Sequence, residues 1–129
     1  MNIKTTILHH LQELHFLPKT EFVVLYGSVQ RKKKTPFSDI DVCISLKAPT
    51  KERLRMRIKL LGRLPSAYDL QIFEDLPLYL QKSIIAGTFL YCRDEQKTVQ
   101  RALDVIREYD DFKPIYSYYI ARDKSKVRL

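Results

Sequence analysis

Apolar and polar positions along the chain alternate between two periods, and the switches between them mark out the elements. Ile7, Leu8, Leu11 and Leu14 fall at helical spacing through residues 4–15, and Pro18 closes that segment. The run from Glu21 to Tyr26 is apolar and β-branched up to Gly27, the pattern of a buried strand. Gly27-Ser28 turns the chain, and Ser28 is placed to cap a short helix reaching about Lys33. Asp39 to Leu46 reads as a second strand after the Thr35–Ser38 loop. Residues 50–64 carry two patterns at once. Leu54, Met56, Ile58 and Leu60 alternate with basic residues as in a strand, whereas Leu54, Ile58 and Leu61 form a helical stripe. Helix is preferred, because neighbouring parallel strands need a crossover. Ala67–Phe73 predicts a third strand, Leu76–Ala86 a helix stopped by Gly87, and Thr88–Cys92 a last strand. From about Glu95 an apolar stripe of Val99, Ala102, Leu103, Ile106 and Tyr109 predicts an amphipathic helix, which Pro114 should break or kink. Helices alternating with three or four strands make an α/β domain.

The chain has 129 residues, a length that suits one domain with a single core. With 45% hydrophobic and 29% charged residues it has the composition of a folded protein. No apolar run approaches the ~18 residues of a membrane span. The N-terminal stretch lacks the unbroken apolar core of a signal peptide. Cys43 and Cys92 lie in apolar segments and make no disulfide framework, so a cytoplasmic protein without membrane contact is expected. The balance of 23 Lys and Arg against 15 Asp and Glu gives +8. Such a domain attracts phosphates, although solubility alone also accounts for the charge.

Candidate chemistry lies between the first two strands. Asp39 and Asp41 are two apart on a strand, so both carboxylates leave one face of the sheet. Paired in this way they repel unless a cation lies between them, and hard oxygen donors suit Mg²⁺, the usual companion of nucleotide phosphates. Gly27 permits close approach of a phosphate, and the N–H groups after Ser28 face it with the positive end of a helix. A phosphate turn beside a carboxylate pair describes a nucleoside triphosphate site.

Residues 25–46, Leu-Tyr-Gly-Ser-Val-Gln-Arg-Lys-Lys-Lys-Thr-Pro-Phe-Ser-Asp-Ile-Asp-Val-Cys-Ile-Ser-Leu, resemble the signature of the minimal nucleotidyltransferases of the DNA polymerase β-like superfamily. In that family a Gly-Ser turn is followed, across a loop with Arg, Pro and Ser, by Asp-x-Asp. Arg31, Pro36, Ser38, Asp39 and Asp41 fall at the matching offsets, and Asp69 in Ala-Tyr-Asp-Leu-Gln-Ile-Phe stands where the family has a third carboxylate. Lys32 departs from the Gly usual after the motif arginine, and Val29 replaces a frequent Arg. The resemblance covers about residues 20–92 and implies a nucleotidyltransferase fold: a short mixed sheet of three or four strands flanked by helices, with a C-terminal helical extension over about 94–122. The whole of 1–129 is then one nucleotidyltransferase domain. The resemblance further implies Asp39, Asp41 and Asp69 as catalytic residues holding two Mg²⁺ ions. Gly27, Ser28 and Arg31 are implied as nucleotide-binding residues, with ATP as substrate. Small stand-alone members, the MntA-like antitoxin type, often transfer AMP to a tyrosine of a HEPN-domain toxin, which makes such a protein the expected partner. An RNA or small-molecule acceptor is the alternative within the class, and a non-catalytic module that sequesters its partner is the alternative outside it.

Other features are weaker. Lys32–Lys34 and the basic series Arg53, Arg55, Arg57, Lys59 and Arg63 could meet phosphates or remain solvated. His9, His10 and His15 fall in the first helical segment at spacings that fit no standard zinc motif. Late tyrosines, among them Tyr109, Tyr116, Tyr118 and Tyr119, suit packing or a partner interface. Cys43 is expected to be inert packing.

Overall fold

The computed structural model describes residues 2–27 and 39–126, with side chains through residue 112. Helix α1 (Ile3–Glu13) starts where the Asn2 side chain accepts the Thr5 N–H at 2.7 Å, which satisfies one of the free donors of the first turn. It ends before His15, which adopts φ 62° and lies outside the helix. Strand β1 (Thr20–Tyr26) pairs antiparallel with β2 (Ile40–Leu46) and, on its other edge, with β4 (Thr88–Cys92). Between β2 and its parallel neighbour β3 (Tyr68–Ile72) runs α2 (Thr50–Leu61), the crossover that parallel pairing demands. The sheet order is β3-β2-β1-β4. Helices α3 (Leu78–Ile85) and α4 (Glu95–Lys126) complete the chain.

Strand alternation divides the core in two. Val23, Val42, Ile44, Leu70 and Ile72 point to the face covered by α1, through Ile7 and Leu11, and by α2, through Met56 and Leu60. Phe22, Val24, Cys43 and Phe73 point the other way, against Ile84 of α3 and Val105 of α4. On that side Phe22 meets Phe73 edge-on at 5.0 Å between ring centroids.

Residues 50–61 are helical, so the crossover reading holds, but α2 is rotated from the expected stripe. Leu54 and Ile58 are 56% and 60% exposed, and the buried pair is Met56 and Leu60. Arg53 and Arg57 supply the remainder of the inner face. Arg53 donates to the Ala48 carbonyl at 2.7 Å and to Asp75 at 2.6 Å, and Arg57 Nε donates to the Leu70 carbonyl at 2.9 Å. Their aliphatic stems cover apolar surface while the guanidinium groups saturate backbone carbonyls that no helix or strand bond would satisfy.

Helix α4 shows the same inversion. Thr98 and Val105 are buried against the sheet, whereas the predicted core residues Val99, Leu103 and Ile106 are exposed. The helix also continues past Pro114, so the break, one of the two outcomes expected there, does not occur. Proline removes one N–H, yet its fixed φ is itself close to helical, so the chain continues beyond it. Cys43 is fully buried as expected, while Cys92 is only half-buried.

Candidate active site

The ends of three adjacent strands bring the expected acidic residues together. Asp41 is the register partner of Asp69 across the parallel β2–β3 pair, and of Tyr26 across the antiparallel β1–β2 pair. All three belong to the face covered by α3 and α4, as alternation from Leu25, Val42 and Leu70 on the other face requires. The row Tyr26–Asp41–Asp69 thus crosses three strands at one level. Asp39, exposed just before β2, lies close enough to act on Asp41.

Electrostatic strain is concentrated on Asp41. Burial first, then the charges of Asp69 and Asp39 and a side-chain hydrogen bond with Asp69, raise its carboxyl above the usual 3.8. Tyr26 is pushed well above the ordinary phenol value, mainly by burial and then by Cys43, Asp41 and Asp69, so it stays a neutral hydroxyl. Among the described residues no cationic side chain is paired with these carboxylates, which lie together at the ends of the strands. A divalent cation with hard oxygen preference fits that donor set.

Gly27 follows Tyr26 with φ +81°, a left-handed conformation that side chains rarely adopt. A Cβ built there would lie 2.1 Å from Asp41 Oδ2. The missing side chain is therefore what lets the Asp41 carboxylate rest against the turn. Ser28, Arg31 and Lys32–Lys34 lie outside the described residues, so the phosphate-binding expectations placed on them remain expectations.

Beside Gly27 opens a cleft of about 650 Å³, lined by Tyr26, Tyr79, Lys82, Ser83, Ala86, Gly87 and Tyr109 as well as Gly27 itself. Lys82 Nζ sits 4.4 Å from the Tyr109 ring centroid, a cation–π contact joining α3 to α4 across the opening. Gly27 was expected here, whereas Tyr79, Lys82 and Ser83 were not singled out from the sequence. Tyr26 carried a signal, since it precedes the turn glycine and shares strand parity with Phe22 and Val24. Lys82 carried none, and Tyr109, read as a packing or interface residue, was not placed here, because only the packing of α4 on α3 brings the two together. A separate cleft of about 550 Å³ lies at the far end of the sheet. There Glu74 accepts from Ser45 and from the Leu46 N–H and pairs with Arg101, so its polar groups already satisfy one another.

Residues 7–96 match the family described as Polymerase beta, Nucleotidyltransferase, and the chain belongs to that family. Over 73 residues it is 36% identical to a candidate protein adenylyltransferase of Methanocaldococcus jannaschii, a stretch covering 57% of this chain and 56% of that protein. The chain therefore spans about half the length of this curated relative. Among solved structures, a chain of a toxin–antitoxin complex with AMP-PNP superposes with TM-score 0.74 at 21% identity, covering 94% of this chain and 98% of the other. A complex of tri-AMPylated HEPN toxin with MNT antitoxin from Shewanella oneidensis gives TM-score 0.67 at 20% identity, covering 92% and 93%. At these identities the likeness establishes the nucleotidyltransferase fold.

Proposed function

We propose that this protein transfers AMP from ATP to a hydroxyl group, a tyrosine on a HEPN-type toxin partner, and so serves as the antitoxin of the pair. The observation that carries the reading is the Asp41–Asp69 contact beside a left-handed Gly27 at the mouth of a cleft. Asp39, Asp41 and Asp69 would hold two Mg²⁺ ions, which when bound neutralise phosphate charge and lower the pKa of the attacking hydroxyl. The chain's own groups account for the rest. The turn at Gly27, with Ser28, Arg31 and Lys82, receives the triphosphate. The acceptor oxygen forms a bond to the α-phosphorus as the bond to the β-phosphate bridging oxygen breaks, and pyrophosphate leaves. Asp69 takes the hydroxyl proton. Tyr26, neutral and half-buried, lines the cleft and keeps its floor uncharged.

Two observations support a protein acceptor. The M. jannaschii relative bears the description of a protein adenylyltransferase, and two of the structural neighbours are toxin–antitoxin complexes. On this chain, Val99, Leu103 and Ile106 form an outward apolar row on α4, at one end of the helix that also supplies Tyr109 to the cleft. A helix apolar on both sides calls for cover on both.

Incubation with Mg²⁺, α-³²P-labelled ATP and the product of the neighbouring gene should label that protein on a HEPN-type domain, and Asp41→Asn should abolish the label. Label that appears only when RNA or a small hydroxyl compound is added would move the acceptor. Partner binding without label under any condition would replace transfer by sequestration.

Two further results are expected. Lys82→Met, which keeps the aliphatic stem, should raise KM for ATP roughly tenfold, the worth of one charge-assisted hydrogen bond, with a smaller change in kcat. Steady-state pyrophosphate release checks this, and an unchanged KM removes Lys82 from the triphosphate. Replacing Val99, Leu103 and Ile106 together by Ser should weaken partner binding at least ~10-fold while ATP affinity stays within about twofold. Calorimetry with each ligand separates the two effects.

A further inference from the structure

Helix α1 carries a second set of donor side chains on the opposite face of the sheet from the carboxylate row. His9, His10 and Glu13 each present one ligand atom, and these atoms all lie within 4.8 Å of one another. Helical geometry explains the convergence. Glu13 is four residues after His9 and three after His10, so it stands one turn above both and between them around the axis. Long side chains lean toward the helix N-terminus, which lowers the Glu13 carboxylate onto the two imidazoles. His9 Nε2 lies 3.0 Å from Glu13 Oε1, and the two imidazole rings meet edge-on with centroids 5.2 Å apart.

Three further features distinguish this group from a chance cluster. The second carboxylate oxygen, Glu13 Oε2, accepts from Arg63 Nη1 at 3.2 Å, which leaves Oε1 facing the histidines. Outer partners of this kind hold metal-binding carboxylates in place. His10 Nδ1 is buried and has no hydrogen-bond partner, the single such side-chain atom among the described residues. An unpaired buried nitrogen is costly, and no protein group is bonded to this one. His9 and Glu13 are 46% and 47% exposed, so an ion reaches them from solvent without disturbing the core.

We infer that His9, His10 and Glu13 form a binding site for a transition-metal ion of the Zn²⁺ class, with Arg63 as the residue that fixes the carboxylate. Two imidazoles and one carboxylate suit Zn²⁺ and Co²⁺, whereas Mg²⁺ prefers oxygen donors alone. The set leaves a fourth position for water. An ion bound there ties the last turn of α1, through Glu13 and Arg63, to the segment that follows α2. This site is independent of the transfer reaction proposed above.

The test uses the full chain without an affinity tag, titrated with Co²⁺ by visible absorption and with Zn²⁺ by calorimetry. Both are repeated in the Asp39→Asn, Asp41→Asn double variant, which removes the carboxylate pair as a competing site. One equivalent of Co²⁺ should bind in the double variant, with d–d bands and no thiolate charge-transfer band, and the same bands should appear in the native chain. Zn²⁺ should displace it, and excess Mg²⁺ should not. His9→Ala and Glu13→Gln should each remove saturable binding, and Arg63→Ala should weaken it ~10-fold. In the Asp39→Asn, Asp41→Asn background, Zn²⁺ should also raise the melting temperature, and adding His9→Ala should remove that rise. Binding that survives both His9→Ala and Glu13→Gln overturns the assignment. So does a thiolate band, which would place the ion on Cys92, or the absence of any saturable binding.

Discussion

Asp41→Asn should abolish adenylyl transfer and at the same time make the protein more stable. The carboxyl of Asp41 titrates above its ordinary 3.8, through burial and through Asp69 and Asp39 beside it. The folded state therefore holds that proton more tightly than the unfolded chain does. The stability this group contributes is complete below 3.8 and is lost as pH rises through the raised folded value. Once ionised, Asp41 opposes folding, and asparagine removes the charge while keeping the shape. Transfer should fall roughly 10²–10⁴-fold, the range expected when a group acting directly in the chemistry is removed. The melting temperature of the variant should rise above that of the native chain when no divalent ion is present. Millimolar Mg²⁺ should then stabilise the native chain and have little effect on Asp41→Asn, because a ligand stabilises only the state that binds it. Scanning calorimetry with and without Mg²⁺ measures all of this together. A variant that melts lower than the native chain and still transfers would remove Asp41 from the centre of the site.

What the sequence disclosed follows from how local each signal is. Strand alternation needs only a few neighbouring residues, and β1, β2, β3 and β4 lie within about two residues of their expected bounds. Parity placed Asp39 and Asp41 on one face, because a period of two allows no other arrangement. Asp69 as the third carboxylate came from the resemblance rather than from spacing, and its register against Asp41 is set only through the crossover helix. Pairing of distant strands is a property of the whole chain.

Helix faces were read less well, for a specific reason. Both α2 and α4 carry more apolar residues than one face can bury. On α2, Leu54–Ile58 competes with Met56–Leu60, and on α4, Val99–Leu103–Ile106 competes with Val105 and its neighbours. Hydrophobicity alone favours whichever stripe is larger. The sheet selects the other one, because Arg53 and Arg57 bond carbonyls that only the inner face can reach. The discarded stripes are then left outward, which is where a partner would be met. His9, His10 and Glu13 escaped notice for a related reason: the sequence reading considered the histidines as a set and left out the carboxylate one turn on.

The turn at Gly27 ties the stability of the fold to the position of the reacting groups, and Gly27→Ala tests that tie. Two penalties are expected, and they can be separated. A non-glycine residue at φ +81° costs about 1–2 kcal/mol, wherever its side chain points. The new methyl would also stand 2.1 Å from Asp41 Oδ2 and 3.0 Å from its Cγ, so the carboxylate must swing away. A displacement on the order of 1 Å in a reacting group can lower the rate about 10²-fold. The single variant should therefore lose both stability and transfer. In an Asp41→Ala background the contacts with Oδ2 and Cγ are gone, and what remains is the backbone strain and a 3.1 Å approach to the Cβ of residue 41. The stability cost of Gly27→Ala should then shrink toward the backbone strain of about 1–2 kcal/mol, the difference being the coupling between the Gly27 position and the Asp41 carboxylate. Chemical denaturation of the four proteins of this cycle gives the coupling directly. An equal cost in both backgrounds would mean that the Asp41 carboxylate does not rest on the turn, and that Gly27 is required only for its backbone conformation.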